Sequence, residues 1–246
     1  MTDVTSAAST AGPLVSVLIA VRDGEPYLPG AIESALGQGY RPLEVVVVDD
    51  GSRDGSAAVA ERFGAPVTVV RQEALGIGAA RNRAVEASAG DLLAFLDSDD
   101  LFEADRVQRQ VDALAADATL EAVFGRVDEF LEPGLSDEAR DALRQPREGV
   151  AAPILPAMLI RRSAFERVGP FAPDQPIGVN IEWYARALDA GLRSATIDAV
   201  VLRRRLHGAN LSVTRWDQRQ RLVDIARERL RRMRSSEGGP AHGGSI

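Results

Sequence analysis

Three aspartates occupy four positions directly after an apolar run, in the segment LLAFLDSDDL. Asp97, Asp99 and Asp100 would repel one another and raise each other's pKa unless a positive group lies among them. Hard cations such as Mg²⁺ and Mn²⁺ prefer carboxylate oxygens and leave positions open for water and substrate phosphates. The spacing therefore predicts a divalent-cation site that tethers a diphosphate. The alternative is a solvated surface turn.

A second acidic pair, Asp49 and Asp50, ends another apolar run, LEVVVVDD. Ligands of open α/β sheets bind in the crevice beyond the carboxyl ends of the parallel strands. Both acidic clusters are therefore expected at the same edge of one sheet. Taken alone, Asp50 is explained equally well as the cap of the next helix.

Short branched apolar runs that alternate with helical patterns would hold these clusters in place. Such alternation is typical of βαβ units around a mostly parallel sheet. The first hundred residues predict the order β-α-β-α-β-α-β, with the third helix entered at Gly76 and closed at Gly90. The predicted strands are LVSVLIAV, LEVVVVDD, PVTVV and DLLAFLDSDD.

The second half of the chain has a less regular pattern. Residues 132–150 are polar with two prolines and two glycines, which predicts an exposed, mobile insertion. The other predicted elements, in chain order, are a helix at 102–116, a strand in LEAVFGRVDEFL, a strand and short helix in PAMLIRRSAFERVGPF, a helix in NIEWYARALDAG, and a last strand and loop in ATIDAVVLRRRLHGANLS.

Composition excludes several classes of protein. The net charge of −7 argues against a nucleic-acid partner, and the absence of cysteine excludes disulfides, thiolate chemistry and a cysteine zinc site. All 29 basic residues are arginine, which excludes a P-loop NTPase and a Schiff-base enzyme, since both need a lysine. No apolar run approaches the length of a membrane span, about 20 residues. With no signal-peptide pattern at the N-terminus, we expect a soluble, cytoplasmic protein.

The chain resembles a family 2 glycosyltransferase with the GT-A fold from about Val15 to Ser212. The resemblance implies a Rossmann-like, mostly parallel sheet flanked by helices, with a smaller mixed half on the acceptor side. It also implies inverting transfer of a sugar from a nucleotide-sugar donor, expected to be a UDP-sugar, with Mg²⁺ or Mn²⁺. The acceptor stays open among a glycan, a lipid carrier, a peptide and a small molecule. The segments that carry the resemblance are VSVLIAVRDGEPYLPGAIESALGQ, LEVVVVDDGSRDGS, GIGAARNRAVEASAGDLLAFLDSDDLFEADRVQRQ, LIRRSAFERVGPF and RLHGANLS.

The implied organisation has five parts. These are a disordered lead at 1–13, a nucleotide-sugar-binding half at 14–118, an acceptor-side half of the same domain at 119–214, a basic helix at 215–234 and a disordered tail at 235–246.

The basic helix has an apolar stripe among its arginines, as helices on anionic membranes do. Asp224 with Glu228, and the lack of bulky aromatics beyond Trp216, favour packing against the domain or a second subunit. The helix is thus expected to pack against its own domain or to form a homodimer, with a position at the membrane surface as the alternative.

The resemblance also transfers roles to single residues. Asp50 would accept a hydrogen bond from the nucleotide base, and Asp99 would bind the ribose. Asp100 would ligate the metal, and His207 would approach the metal or the diphosphate. The full nucleotide-binding set is Ala20, Arg22, Asp50, Arg81, Asp97 and Asp99.

Alternative explanations remain for some of these residues. Asp23 replaces the family's usual asparagine, which leaves the identity of the base open. Arg81 is also explained as a solvated helix arginine, and His207 as a surface residue.

The general base has no carboxylate at the position where the family usually has one. The family usually has a Glu-Asp pair at the start of the helix after a glycine, but Val179 and Asn180 stand there in this chain. Neither side chain takes up a proton at neutral pH, so the nearest carboxylate, Glu182, is predicted to be the base. The competing explanation is a helix-terminal glutamate favoured by the macrodipole.

Two other functions compete with glycosyl transfer. A catalytically weak donor-binding protein would explain the missing Glu-Asp pair. A nucleotidyltransferase would show a glycine-rich basic loop after the first strand, which AVRDGEPY is not. A Rossmann dehydrogenase is weaker still, because GIGAAR follows the third strand and lacks the full glycine spacing.

Overall fold

The computed structural model describes residues 12–208, apart from residues 152, 174, 176 and 177. Most of the predicted lead, the basic helix at 215–234 and the tail at 235–246 therefore lie outside the described residues. Within the described part, no helix is both long and apolar enough to cross a membrane.

The first hundred residues form the predicted alternation of strands and helices. In chain order the elements are β1 (Val15–Val21), α1 (Leu28–Leu36), β2 (Leu43–Asp50), α2 (Ser56–Glu61), β3 (Val67–Gln72), α3 (Ile77–Glu86) and β4 (Leu92–Asp97). These strands are parallel and lie in the order β3-β2-β1-β4. The chain adds β2 and β3 on one side of β1 and then returns to place β4 on the other side. This reversal creates a crevice between the carboxyl ends of β1 and β4.

The second half extends the same sheet with mixed pairing. Its elements are β5 (Leu101–Phe102), α4 (Arg106–Ala116), β6 (Ala122–Leu131), α5 (Asp137–Asp141), β7 (Val150–Ala151), β8 (Met158–Arg161), α6 (Arg162–Val168), α7 (Val179–Asp189) and β9 (Ser194–Leu206). From β4 the order continues β8-β6-β9-β5, and β7 pairs with β6. Only β6 and β9 are parallel here. The predicted combination of a parallel half and a smaller mixed half is confirmed.

Helices cover both faces of the sheet. Alternate residues of β1 point to opposite faces, as the pleat of a strand requires. Val17 and Ile19 join the core under α1 and α4. Leu18 joins the core under α3, α6 and α7, where Trp183 is 1% exposed.

Two helix boundaries differ from the sequence predictions. The third helix ends at Glu86 and not at Gly90, because Arg162 draws the following carbonyls of Ser88 and Gly90 toward α6. Gly90 instead allows a close approach to β1, since a Cβ there would lie 2.7 Å from the Ser16 nitrogen. The helix predicted at 102–116 begins only at Arg106, after the short strand β5.

The insertion at 132–150 is largely exposed, as predicted, and it has secondary structure and an anchor. Ser136 caps α5, and Leu143 is buried. The Glu129 carboxylate, 7% exposed on β6, accepts hydrogen bonds from Arg144 and Arg147. Burial alone would raise the pKa of Glu129, but the bonds from Arg144 and Arg147 outweigh it and lower that pKa to about 2.

A fully buried arginine fixes α4 against the sheet. The Arg106 guanidinium donates to Gln110 Oε1 and to the carbonyls of Pro156 and Met158, and it lies 3.8 Å from the centre of the Phe102 ring. Burial lowers the pKa of Arg106 to about 9, so the group stays charged at neutral pH. Replacing it with an apolar residue would leave three buried acceptors without their donor.

We expect Arg106→Leu to lower the free energy of unfolding by about 2–4 kcal/mol, because the lost hydrogen bonds outweigh relief of the buried charge. Arg109→Leu, on the exposed face of the same helix, is the control and should change it by less than about 0.5 kcal/mol. Urea denaturation measures both values. Equal losses in the two variants would contradict a role for the buried network.

The Glu129 anchor predicts a loss of stability in acid. A carboxyl whose pKa is lowered on folding contributes stability above its unfolded pKa, here 4.5, and loses it as the pH falls toward the folded pKa of about 2. Glu129→Gln should therefore reduce stability at pH 7 and flatten its decline between pH 4.5 and 2. Denaturant titrations at each pH test this, with exposed Glu138→Gln as a control that keeps the wild-type slope.

Candidate active site

The crevice at the strand ends brings the two acidic clusters together. Ala20, near the end of β1, pairs in register with Val48 on one side and Asp97 on the other. The last residue of β1, Val21, pairs with Asp49. The end of β1 therefore lies between both predicted clusters, as their positions after parallel strands implied.

The Asp50 carboxylate is buried and is held by the loop before α3. Oδ1 accepts from Gln72 Nε2 at 2.7 Å and from the Leu75 nitrogen at 2.9 Å, while Oδ2 accepts from the Gly76 nitrogen at 2.9 Å. A carboxylate oxygen has two lone pairs, so Oδ2 keeps one acceptor position. Asp49 accepts a hydrogen bond from the Ser52 nitrogen, within its own loop.

The loops after β1 and β2 are fastened to each other. The Asp23 nitrogen donates to Ser52 Oγ at 3.0 Å, and Asp23 Oδ1 accepts from the Arg53 nitrogen at 2.7 Å. The Gly24 nitrogen donates to Ser56 Oγ at 3.0 Å. The aspartate that replaces the family's asparagine thus serves this loop contact. Arg22, beside it, is exposed.

Arg81 is a buried bridge, and the alternative of a solvated helix arginine is wrong. It is 6% exposed. Its Nη2 donates to Asp97 Oδ1 at 2.7 Å, and its Nη1 donates to Asn180 Oδ1. Arg81 therefore supplies the positive charge beside the first aspartate of the cluster. It also joins β4 to the start of α7, where the Glu-Asp pair was expected.

His207 lies inside the cluster, so the alternative of a surface residue is also wrong. It is 6% exposed, and its Nε2 is 3.0 Å from Asp99 Oδ2. Its ring stacks on Tyr27, with ring centres 4.6 Å apart. Tyr27 belongs to the loop after β1, so His207 connects that loop to the acidic turn.

Asp100 is the most buried carboxylate of the turn, at 3% exposure. Oδ1 accepts from the Arg205 nitrogen at 2.9 Å. Among the residues that the structure describes, none donates a hydrogen bond to Oδ2. Burial and then the charges of Asp99 and Asp97 raise the pKa of Asp100 well above its usual range. A buried carboxylate oxygen without a donor is costly unless a cation lies beside it.

The donor set of the turn fits a hard divalent cation. Oδ2 of Asp100 is a carboxylate oxygen of the kind that such an ion prefers, and His207 lies against the neighbouring Asp99. Within the described residues, no three acidic or histidine groups form a preformed metal cage. Mg²⁺ is usually held by only one or two carboxylates together with substrate phosphates, so this arrangement is compatible with such an ion.

The contacts described for Glu182 lead away from the acidic turn. Its carboxylate pairs with Arg186 at 2.6 Å, and Arg186 also donates to the carbonyls of Val168 and Pro170. Residues 180 and 182 are about 200° apart around a helix, so Glu182 and Asn180 lie on opposite faces of α7. The assignment of the base to Glu182 stays a prediction.

Three residues that surround the acidic turn were not predicted from the sequence: Tyr27, Glu132 and Arg205. Burial and then the charge of Glu132 raise the pKa of Tyr27, whose ring lies against His207. Arg205 stands in a run of three arginines, which is typical of a solvated strand face. Its alternation with Arg203 on one face of β9 was the available signal.

Comparison with known proteins identifies the same family that the sequence resembles. The family described as glycosyl transferase family 2 matches residues 16–169, more than half of the chain. Glycosyltransferase AglE of Haloferax volcanii is 31% identical over 192 residues, which cover 73% of this chain and 62% of AglE. The chain spans between 14% and 62% of the length of AglE and seven other curated relatives.

Solved structures share the architecture. Mannosyltransferase PcManGT from Pyrobaculum calidifontis, in complex with GDP-Man and Mn²⁺, has a TM-score of 0.69 at 25% identity and covers 90% of this chain and 65% of its own. TarS of S. aureus, in complex with UDP-GlcNAc, has a TM-score of 0.64 at 18% identity, over 80% of this chain and 59% of that chain. The GT-A fold is confirmed, and the chain belongs to glycosyl transferase family 2.

Proposed function

We propose that the protein transfers a sugar from a nucleoside-diphosphate sugar to an acceptor hydroxyl, with inversion at the anomeric carbon and with Mg²⁺ or Mn²⁺. The single observation that carries this proposal is the buried Asp100 carboxylate at the crevice between β1 and β4. Its Oδ2, which accepts no hydrogen bond from the described residues, and its crowded acidic neighbours favour a cation at the place where α/β sheets bind ligands. PcManGT in complex with GDP-Man and Mn²⁺ supports it.

The donor would lie across the ends of β1, β2 and β4. Asp50 would accept from a ring N–H of the base, with Ala20 and Arg22 beside the nucleotide. Asp99 would bind the ribose, while Arg81 would act through Asp97. We propose a UDP-sugar as the donor, since TarS is known in complexes with UDP and UDP-GlcNAc. Guanine also carries a ring N–H, so GDP is the competing nucleotide.

The cation would be held by Asp100 and His207. When bound, it would neutralise charge on the departing nucleoside diphosphate. The acceptor oxygen forms the new bond to the anomeric carbon, the bond from that carbon to the diphosphate breaks, and the hydroxyl proton passes to a base. Glu182 is our proposed base, and it would have to leave Arg186 to act.

A second function has a specific observation in its favour. The site-facing position at the start of α7 holds Asn180, whose amide is bonded to Arg81 and accepts no proton at neutral pH. Together with the pairing of Glu182 and Arg186, this favours a protein that binds the donor and turns it over weakly or not at all.

Location and assembly depend on residues outside the described part. A cytoplasmic protein, its attachment to a membrane surface and a homodimer through residues 215–234 all stay predictions from the sequence.

We expect UDP with Mn²⁺ to raise the melting temperature more than UDP alone. Saturation at 100 times the Kd contributes about 2.7 kcal/mol, which corresponds to a shift of roughly 5–10 °C for a chain of this size. Asp100→Asn should remove the Mn²⁺-dependent part of the shift, and exposed Asp141→Asn is the control that should keep it.

Differential scanning fluorimetry with UDP, GDP and their sugars measures these shifts. A full Mn²⁺-dependent shift in Asp100→Asn would reject that residue as the cation ligand. A larger shift with GDP than with UDP would reassign the base.

If Glu182 is the base, Glu182→Gln should lower kcat by about 10²–10⁴-fold and leave donor affinity unchanged, because only proton transfer is lost. Exposed Glu166→Gln on α6 is the matched control. Release of nucleoside diphosphate from the donor measures turnover, with water or a sugar as acceptor. If Glu182→Gln turned over the donor as fast as the wild type, Glu182 would not be the general base. Tight donor binding without turnover in the wild type would favour the second function.

A further inference from the structure

Three segments of the site meet at Arg205, near the end of β9. Its Nε donates to the carbonyl oxygen of Asp99 at 2.9 Å, and its backbone nitrogen donates to Asp100 Oδ1 at 2.9 Å. Its Nη1 pairs with Glu132, just after β6, at 3.2 Å. Side chain and main chain of one residue therefore hold two consecutive residues of the acidic turn.

The guanidinium of Arg205 is held between aromatic rings. It lies 5.3 Å from the ring centre of Tyr27 and 4.8 Å from that of Phe130, and its side chain is only 12% exposed. A guanidinium is planar and presents its N–H groups in fixed directions. Rings and Glu132 together therefore determine where Nε points, and Nε in turn determines where the Asp99 carbonyl lies.

Arg205 holds the turn through main-chain atoms. Its Nε bonds to the main-chain oxygen of Asp99 and not to the carboxylate. Its backbone nitrogen bonds to Oδ1 of Asp100, and the ion pair with Glu132 offsets part of the guanidinium charge. Among the described residues, Arg205 thus orients the turn while Oδ2 of Asp100 receives no hydrogen bond.

We propose that Arg205 is a positioning residue that sets the geometry of the acidic turn for the cation bound with the donor. This inference rests on the proposed function. Loss of a residue that orients a metal ligand typically costs about 10–100-fold in metal affinity. The effect should appear in cation binding, and only through it in catalysis.

The test compares Arg205→Met with Arg203→Met. Arg203 lies on the same face of β9, and its guanidinium is 5.1 Å from the same Phe130 ring, so the control removes an equivalent stacking contact. Mn²⁺ affinity in the presence of UDP is measured by electron paramagnetic resonance of free Mn²⁺. UDP affinity without metal is measured by calorimetry.

We expect Arg205→Met to weaken Mn²⁺ binding by about 10–100-fold and to change metal-free UDP affinity by less than about threefold. Arg203→Met should bind both as the wild type does. Arg205→Lys keeps the charge without the planar fork and should recover only part of the loss. Raising the Mn²⁺ concentration should restore kcat of Arg205→Met, which a general folding defect would not allow.

Each result decides between the two proposals. Wild-type protein without Mn²⁺-dependent UDP binding would overturn the proposed function and this inference together. If the wild type binds Mn²⁺ with UDP, an unchanged Mn²⁺ affinity in Arg205→Met would overturn the inference alone. An equal loss of Mn²⁺ affinity in Arg203→Met would do the same. If Arg205→Met does not fold, Glu132→Gln is the second test, because it removes the ion pair that helps to direct Nε toward the Asp99 carbonyl and should therefore also weaken Mn²⁺ binding. Unchanged Mn²⁺ affinity in that variant would then reject the proposal.

Discussion

Repulsion among three carboxylates at the end of β4 is the constraint on which the site depends. The positive and polar groups that offset it come from distant parts of the chain. Arg81 on α3 donates a hydrogen bond to the Asp97 carboxylate. At the end of β9, His207 lies against the Asp99 carboxylate, and the Arg205 nitrogen donates to Asp100. The last two partners stand more than one hundred residues after the turn. The acidic turn therefore reaches this arrangement only after β9 has joined the sheet beside β6 and β5.

A neutral amide closes the contact between α3 and the start of α7. Arg81 reaches across to position 180, where it donates to the amide oxygen of Asn180. An acid at this place would pair with the arginine and be held ionised, whereas asparagine accepts the same hydrogen bond without charge. Arg81 thus bridges β4 and α7 through a neutral partner, and the proton acceptor has to be a different side chain.

Local patterns in the sequence predicted most of the frame, and long-range polar contacts explain what they missed. The apolar runs of β1, β2 and β4 identified both the parallel half and the edge where its acids gather. The local sequence could not predict the end of α3, because the carbonyl of Gly90, which follows that helix, accepts a hydrogen bond from Arg162, 72 residues away. Arg205 was missed for the same reason, because its role depends on rings and carbonyls contributed by three other segments. Hydrophobic periodicity carries no information about such partners.

The anchor at Glu129 has a consequence for engineering. The segment between Glu132 and Arg144 leaves β6 beside the site and returns to one buried carboxylate, so its two ends are fixed while α5 lies on the surface. Loops with fixed ends accept changes of length at low entropic cost. A library that randomises residues 133–142 and keeps the buried Leu143 and the two arginines would vary this surface segment and leave the nucleotide side unchanged.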